Sequence, residues 1–293
     1  AIQLICNLFK PNDEILVSFD LYGGTFRLFD YYEQQYGIHF KYVDFLDYES
    51  IADAITPQTV ALFIEPISNP QMIEVELEPY YRLAQQHNLL MIIDNTFLTP
   101  YLSTPLEDGA DIVLHSATKY IGGHNDVLAG VVTVKDETLA TRLDELHNMI
   151  GATLSPFDSY LLLRGLKTLH LRVDRSEENA RLLAERCSHL DSINEVLYSG
   201  HTGMLSLRLN RNYSVAKFLE NLKICIFAES LGGTETLVTF PYTQTHADMP
   251  EPERAKRGID AYLVRLFVGV ENYSDIEADL IQALEHAKEE VIS

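Results

Sequence analysis

The chain has 293 residues, and its 22 lysines and arginines stand against 43 aspartates and glutamates, which gives a formal net charge of −21 with histidine neutral. Because so acidic a surface repels phosphate backbones, we expect no nucleic acid among its partners. No apolar run approaches the roughly 20 residues that cross a bilayer, so we expect no membrane partner either. A hydrophobic content of 46% is ordinary for a globular protein.

The three cysteines, Cys6, Cys187 and Cys225, are too few and too scattered for a disulfide framework or a thiolate metal site. The histidines show no zinc-binding spacing, so we expect no metal. A reduced, cytoplasmic location is the simplest expectation. No Gly-x-Gly-x-x-Gly follows a strand, so a nicotinamide cofactor lacks its fingerprint.

The first two thirds of the chain alternate strand and helix patterns. Continuous apolar runs predict strands that are buried on both faces. The predicted elements are, in order, a helix end at 1–9, a strand at 15–19, a helix at 26–36, strands at 40–43 and 60–64, a helix at 79–88, and strands at 89–93, 112–114 and 131–134. This alternation predicts an α/β fold with a mainly parallel sheet flanked by helices.

The rest of the chain has a different order of predicted helices and strands. Residues 138 to about 187 read as almost entirely helical, with breaks near Gly151 and Gly165. The later predicted elements are a strand at 203–209, a helix at 214–222, a strand at 262–268 and a helix at 274–291. We therefore predict a large domain over 1–188 and a smaller C-terminal α+β domain over 189–293.

The densest group of candidate functional residues follows the strand at 112–114. The strand runs into the hydroxyl residues Ser116 and Thr118, then Lys119, then the paired glycines Gly122 and Gly123. Ligands of open α/β sheets sit at the carboxyl ends of strands, so Lys119 is well placed to point into a crevice. The two hydroxyls can donate to a phosphate, and the glycines permit tight turns beside a ligand. The alternative is a surface lysine in a glycine turn.

A second strand ends in an aspartate, Asp94, directly after five apolar residues. A buried carboxylate is costly unless it has a partner. An N-cap or an Asx-turn is one explanation. The other is a cationic ligand atom such as a protonated pyridine nitrogen, and a lysine with an aspartate forms the protein half of a pyridoxal phosphate site.

Three further residues fit the same interpretation. Tyr22 stands beside two glycines, which suits a ring stacked on a flat cofactor, although an ordinary turn is the alternative. Asn69 lies in a rigid extended turn, where its amide can reach a phenolic oxygen, or where it is simply part of a loop. Arg265 interrupts an apolar strand pattern, and a guanidinium there suits either a substrate carboxylate or a structural ion pair.

Taken together, these motifs resemble the Cys/Met-metabolism pyridoxal-phosphate enzymes, the trans-sulfuration family that includes cystathionine γ-synthase. The resemblance runs from residue 1 to about residue 287, and residues 111–125 fit the family's lysine signature. The other landmarks, in family order, are Tyr22-Gly23-Gly24-Thr25, Asp94-Asn95-Thr96-Phe97, Arg164-Gly165-Leu166-Lys167-Thr168, Ser230-Leu231-Gly232-Gly233 and Thr245-His246.

The resemblance implies fold type I, the aspartate aminotransferase-like fold, and pyridoxal 5'-phosphate as cofactor. It implies that Lys119 forms the Schiff base and shuttles protons, with Tyr22 as a second acid or base. The implied cofactor-binding residues are Lys119, Asp94 on the pyridine nitrogen, Tyr22 stacked on the ring, Asn69 on the ring oxygen, Thr96, and Ser116 and Thr118 on the phosphate. The implied substrate-binding residues are Arg265 and Ser230 on the α-carboxylate, Glu229 and Asn69.

The implied reaction is γ-replacement on an O-acylhomoserine with cysteine or sulfide, which gives cystathionine or homocysteine. The short turn at 198–203 favours such a synthase over a cystathionine β- or γ-lyase, which is the alternative. The substrates are small amino acids, and the family implies a homo-oligomer built as a dimer of dimers. A non-catalytic fragment is a further alternative.

The sequence departs from the family pattern in three places. Family members carry a preceding arm of roughly 80–90 residues with phosphate-binding groups, so we expect the chain as given to bind the cofactor poorly. The segment 65–70 reads Glu-Pro-Ile-Ser-Asn-Pro, where the family has a hydroxyl residue second and a proline third. Phe267 replaces a serine.

Overall fold

A computed structural model describes residues 1–245, 247 and 251–289. By the contacts between its Cα atoms, the chain divides into two compact units. The first contains Ala1–Asn69, Glu74–Thr118 and Val127–Leu162, and the second contains Pro70–Ile73, Lys119–Asp126 and Leu163–Ser293. The division between residues 188 and 189 stays a prediction. His246 and Val291, which the sequence analysis included in a family landmark and a helix, lie outside the described residues.

The first unit is built on a six-stranded sheet in the order β2-β1-β3-β4-β5-β6. Its strands are β1 (Glu14–Ser18), β2 (His39–Val43), β3 (Thr59–Ile64), β4 (Leu90–Asp94), β5 (Ile112–Ser116) and β6 (Gly130–Val134). The first five run parallel, and β6 pairs antiparallel with β5. Asp94 lies opposite Leu114, so β4 and β5 end at the same edge.

Alternate residues of these strands belong to two separate apolar clusters. Leu62 and Ile93 lie in one cluster, whereas Phe63 and Ile92 lie in the other. Since successive side chains of a strand point to opposite faces, both faces of the sheet are covered. The helices of this unit are α1 (Ile2–Cys6), α2 (Gly23–Tyr36), α3 (Tyr48–Ala54), α4 (Glu78–His87), α5 (Thr99–Leu102), α6 (Pro105–Asp108) and α7 (Glu137–Ile150).

Helix α8 (Pro156–Leu166) carries the chain from the first unit into the second. The second unit holds a five-stranded sheet in the order β7-β8-β11-β10-β9. Its strands are β7 (Ile193–Leu197), β8 (Met204–Leu209), β9 (Ile226–Phe227), β10 (Leu237–Thr239) and β11 (Leu263–Phe267), and its helices are α9 (Leu169–Cys187), α10 (Val215–Glu220), α11 (Glu251–Lys256) and α12 (Tyr273–Ala287). One apolar cluster joins α9, α12 and the sheet.

Local signals explain most element boundaries. The predicted break near Gly151 is confirmed: the backbone there is left-handed, with φ at 73°, and it ends α7. Helix α2 begins at Gly23, three residues before the predicted start, because Tyr22 takes the N-cap position. Strand β4 extends to Asp94, one residue past its prediction. In the described part of the chain, no helix is long and apolar enough to cross a membrane.

Candidate active site

In the first unit, Asp94, Thr96 and Ser116 form a hydrogen-bonded chain at the carboxyl edge of β4 and β5. The hydroxyl of Thr96 donates to Asp94 Oδ1 at 2.5 Å, and the Thr96 amide donates to the same oxygen at 3.1 Å. The Ser116 amide donates to Thr96 Oγ1 at 2.8 Å. Thr96 therefore fixes the carboxylate and links it to the strand that leads to the lysine.

Burial raises the pKa of Asp94 to about 6, although the hydrogen bonds from Thr96 and the α-amino group of Ala1 lower it. Across residues 1–245, 247 and 251–289, no lysine, arginine or histidine side chain forms an ion pair with Asp94. A buried carboxylate of this kind favours a cation that comes from a ligand.

A second carboxyl, Glu65, belongs to the same group and was missed by the sequence analysis as a site residue. Its Oε1 accepts the Tyr22 amide at 3.1 Å. Burial raises the pKa of Glu65 well above its usual range, and the negative charges of Asp94 and Asp20 raise it further. The signal was available in the sequence, because Glu65 follows the buried strand β3 directly, as Asp94 closes β4.

Tyr22 stands at the carboxyl side of β1, and its ring is 48% exposed. A Cβ atom on Gly24 would lie 2.5 Å from Cε1 of this ring. Glycine at that position therefore leaves the room that the ring occupies. The exposed ring face is free to stack on a flat ligand, and that role stays a prediction.

Two further predicted cofactor-binding residues of the first unit, Thr118 and Asn69, are hydrogen-bonded or buried within the protein. Thr118 Oγ1 donates to the Ala129 carbonyl at 3.2 Å and accepts the Ala129 amide at 3.0 Å. Asn69 is buried, with only 4% of its surface exposed. The predicted contacts of Ser116, Thr118 and Asn69 with the cofactor stay predictions.

In the second unit, Ser230 lies between the two predicted cationic residues. Lys119 Nζ donates to Ser230 Oγ at 3.1 Å, and Arg265 Nη2 donates to the Ser230 carbonyl at 3.0 Å. The same nitrogen of Arg265 also donates to Thr239 Oγ1 at 2.9 Å. Arg265 occupies the middle of β11 and is buried, and its hydrogen bonds to Thr239 on β10 and to the Ser230 carbonyl hold its guanidinium in place.

Burial lowers the pKa of Lys119 to about 8, and the positive charge of Arg265 lowers it further. The carboxylate of Glu229 opposes this effect. The structure thus brings together Lys119, Ser230, Arg265 and Glu229, four of the predicted site residues. An amine whose pKa lies near neutrality is suited to accept and return protons.

The glycine pair after Ser230 packs directly on the lysine turn. A Cβ atom on Gly232 would lie 2.5 Å from the Tyr120 amide nitrogen, and φ at Gly232 is +80°. The adjacent Ser230 also has a left-handed φ of 110°. Only glycine at position 232 allows the loop to approach the segment that carries Lys119 so closely.

Known proteins are similar in sequence to this chain over almost its whole length. The chain is 51% identical over 293 residues to the cystathionine gamma-synthase/O-acetylhomoserine (thiol)-lyase of Bacillus subtilis (strain 168), an alignment that covers 100% of the chain and 79% of the relative. It is 49% identical to the cystathionine gamma-synthase of Haemophilus influenzae over 98% of the chain and 78% of the relative. It is 41% identical to a cystathionine beta-lyase of Bacillus subtilis over 97% of the chain and 77% of the relative.

The fold of the chain is also similar to that of solved structures. The cystathionine gamma-lyase of Lactobacillus plantarum, solved with L-serine, superposes with a TM-score of 0.94 at 38% identity over 98% of the chain and 79% of that structure. This similarity confirms fold type I. The family model described as Cys/Met metabolism PLP-dependent enzyme matches residues 1–285. The chain therefore belongs to this family of trans-sulfuration enzymes, whose cofactor is pyridoxal 5'-phosphate.

Proposed function

We propose that the chain catalyses γ-replacement on an O-acylhomoserine, with cysteine or sulfide as the incoming thiol and cystathionine or homocysteine as the product. The observation that carries this choice is the alignment with the Bacillus subtilis synthase/thiol-lyase, which spans 293 residues and the whole of this chain. The alignment with the β-lyase needs 300 positions for 97% of the chain, so it contains gaps. In alignment length as well as in sequence identity, the chain is more similar to the synthases than to the β-lyase.

The residues of each unit fit pyridoxal phosphate. A cation would stabilise the buried carboxylate of Asp94, and the protonated pyridine nitrogen of the cofactor is such a cation. The amine of Lys119, with a pKa of about 8, is a good nucleophile near neutral pH and would hold the cofactor covalently. When bound, this cofactor stores the electrons that are released as bonds at the substrate's α-carbon break.

Lys119 also moves the protons of the reaction. Its free amine would remove the α-proton of the substrate and later return a proton to the product. Ser230 Oγ lies 3.1 Å from Nζ and limits where the amine can point. Tyr22 is proposed as a second acid or base, with its ring against the cofactor and its amide held by Glu65.

Arg265 is proposed to bind the α-carboxylate of the amino-acid substrate. Its contacts with Ser230 and Thr239 orient the guanidinium, whose planar shape matches a carboxylate. Glu229 is proposed to control access of the substrate side chain, and Asn69 to contact both ring oxygen and substrate. Thr96, Ser116 and Thr118 complete the proposed cofactor-binding set.

A cystathionine β- or γ-lyase is the second candidate. The 41% identity to a β-lyase covers nearly the same part of the chain, so a lyase would use the same residues. The connection from β7 to β8 is the short segment 198–203, and its tightness comes from a left-handed φ of 63° at Thr202. This short hairpin supports the synthase, in agreement with the alignment lengths.

The first experiment is a visible absorption spectrum of the purified protein with and without added pyridoxal phosphate, beside Lys119→Ala. We expect a yellow band that borohydride fixes on Lys119, and no such band in the variant. A band that appears only when the chain is extended by the N-terminal residues of its relatives would indicate a cofactor site that needs them. No band in either form would support the non-catalytic alternative and overturn the proposal.

Product analysis then separates the two reactions. A synthase forms cystathionine from O-acylhomoserine and cysteine, or homocysteine from O-acylhomoserine and sulfide. A lyase, given cystathionine alone, releases ammonia and a keto acid. Rapid keto-acid release from cystathionine, without γ-replacement, would contradict the synthase proposal.

We also propose a cytoplasmic homo-oligomer, a dimer of dimers. Helix α8 supports an interface with a second copy, because Phe157, Tyr160 and Leu163 are 67%, 58% and 62% exposed. Three large apolar side chains so close together are uncommon on a monomer surface. Light scattering coupled to size-exclusion chromatography measures the state directly, and a monomer at micromolar concentration would contradict this assembly.

A further inference from the structure

Three polar side chains are buried on one face of α9. Arg172, Ser176 and Asn179 are 7%, 1% and 0% exposed, and their spacing of four and three residues places them in one row. The buried apolar residues of α9, such as Val173 and Leu183, are the ordinary occupants of such a face. Polar groups in these positions have lost their contact with water and need specific partners.

All three nitrogens of the Arg172 guanidinium donate hydrogen bonds to uncharged acceptors. Nη1 donates to the Tyr120 carbonyl at 2.7 Å, Nη2 to the Gly165 carbonyl at 2.7 Å, and Nε to Thr168 Oγ1 at 3.1 Å. In the part of the chain that the structure describes, no carboxylate forms an ion pair with Arg172. Burial lowers the pKa of Arg172, because it removes water from the charged guanidinium.

The Tyr120 carbonyl belongs to the turn that presents Lys119. In this turn the Gly123 amide donates to the Lys119 carbonyl at 2.8 Å. Gly123 has a φ of +74°, and a Cβ atom there would collide with the Arg172 guanidinium. The turn is therefore folded directly against Arg172, and the paired glycines of the lysine signature leave room for it.

The other two members of the row hold a different segment. Ser176 Oγ donates to the Val268 carbonyl, and Asn179 Nδ2 donates to the carbonyls of Gly269 and Glu271 at 2.9 Å each. This segment follows β11, the strand of Arg265. One face of one helix thus binds both the turn of Lys119 and the chain just after Arg265.

We propose that Arg172 is a positioning residue for Lys119: through the Tyr120 carbonyl it sets where the amine stands relative to Arg265, while Ser176 and Asn179 fix the β11 side. The inference rests on the proposed function, in which Lys119 holds the cofactor and moves protons. Small displacements of a reacting group lower the reaction rate by large factors. We therefore expect the contact between Arg172 and the Tyr120 carbonyl to affect kcat. A lysine cannot replace Arg172, because a single ammonium cannot reach three acceptors in a fixed plane.

The test compares holoenzymes carrying Arg172→Met and Arg172→Lys with the wild-type holoenzyme. We expect borohydride still to trap the cofactor on Lys119, while the pH midpoint of the absorption band shifts by about 0.5 unit or more. We expect kcat to fall about tenfold or more, which corresponds to about 1.4 kcal/mol, with KM changed less than about twofold. Arg175→Met is the control, because the side chain of Arg175 is only partly buried on the same helix and pairs with Glu178 at 2.9 Å.

Thr168→Val is the second variant, because it removes the acceptor of Nε, together with the hydrogen bond from Thr168 Oγ1 to the Gly165 carbonyl, and keeps the guanidinium. We expect it to shift the band midpoint and kcat in the same direction by a smaller amount, and it decides the matter where the Arg172 variants fail to fold. A variant that melts at a lower temperature, but keeps the wild-type midpoint and kcat, would overturn the inference. A wild-type protein with no trappable cofactor on Lys119 would instead overturn the proposed function.

Discussion

Two acids of the first unit and two bases of the second unit respond to burial in opposite directions. Burial raises the pKa of Glu65 and Asp94 in the first unit. Burial lowers the pKa of Lys119 and Arg172 in the second unit. In each case burial favours the uncharged form of a group that carries a charge in water near neutral pH.

This difference indicates which ligand charges these side chains favour. Glu65 and Asp94 favour a positively charged ligand atom, whereas the amine of Lys119 favours a negatively charged one. The guanidinium of Arg172 already donates to three acceptors of the protein. Pyridoxal phosphate and an amino acid together offer both kinds of charge. Held without its ligands, each group costs folding free energy, and the following predictions use that cost and its sign.

The largest expected effect is on catalysis, from the acid of the first unit. Asp94→Asn keeps the shape and the contact with Thr96 but removes the charge that keeps the pyridine nitrogen protonated. We expect kcat to fall about 10²- to 10⁴-fold, the usual contribution of a positioned acid or base. Steady-state γ-replacement assays measure it, and Asp53→Asn, at an exposed position on α3, serves as the control. A kcat within about threefold of wild type would remove Asp94 from its proposed role.

The next effect comes from the second unit and should appear in KM. Arg265→Lys keeps the positive charge but loses the planar pair of donors, and Arg265→Met loses both. We expect KM for the amino acid to rise about tenfold and about hundredfold, since each hydrogen bond to a charged group contributes about 1.5–3 kcal/mol. Arg211→Lys, at an exposed position, is the control. Equal KM values in the two Arg265 variants would argue against a two-donor contact with the carboxylate.

Asp94 and Lys119, half of this comparison, could be predicted from the sequence, because their signals are local. Asp94 after an apolar run, Lys119 before two glycines and Arg265 inside a strand pattern are each visible within about ten residues. The main strands were predicted for the same reason, since a buried strand needs a continuous apolar run. Short elements such as α3, β9 and β10 were missed, because two to seven residues carry too little periodicity.

The rest depends on contacts between residues that are far apart in the chain. The Lys119 contact with Ser230 and the Arg172 contact with Tyr120 span 111 and 52 positions, so no local pattern contains them. Arg172 could have been suspected, because an arginine on the apolar face of an amphipathic helix is rare. Which carbonyl it binds could not, because that depends on how the lysine turn folds.

A smaller effect concerns the stability of the cofactor-free first unit. The folded pKa of Asp94, about 6, lies above its ordinary value of 3.8, so the folded state binds more protons than the unfolded state between these pH values. The free energy of unfolding therefore falls as pH rises through this range. Glu65→Gln removes one of the two acids and relieves the repulsion on the other. We expect the variant to match wild type near pH 4.5 and to be more stable by about 1 kcal/mol at pH 8, by urea denaturation.

The control for that measurement is Glu76→Gln, which removes one glutamate charge outside the Glu65–Asp94 pair. A Glu65→Gln variant less stable than wild type at pH 8 would mean that the charged form of Glu65 is favoured in the fold. The hydrogen bond from the Tyr22 amide would then outweigh the burial of the carboxyl.

The smallest effect concerns Lys119 in the second unit. It is a pH dependence of stability that is opposite in sign to the one expected from Asp94 and Glu65. The folded pKa of Lys119, about 8, lies below its ordinary value of 10.5, so between these pH values the unfolded state binds more protons. Stability of the cofactor-free protein therefore rises with pH across this window, and below pH 8 the buried ammonium costs free energy. Lys119→Met should be more stable than wild type at pH 7 by roughly 1 kcal/mol, after allowance for partial exposure of the amine, and the difference should shrink toward pH 10.5.

Lys217→Met, at an exposed position on α10, should show no such pH dependence in the same denaturation series. If Lys119→Met is instead the less stable protein at pH 7, the contact with Ser230 and the charge of Glu229 hold the ammonium better than burial disfavours it. The lysine would then carry its proton at neutral pH, and it would need a neighbouring base before it could attack the cofactor. Opposite slopes for the Glu65 and Lys119 variants would establish that the buried acid of the first unit and the buried amine of the second affect stability in opposite directions as pH rises.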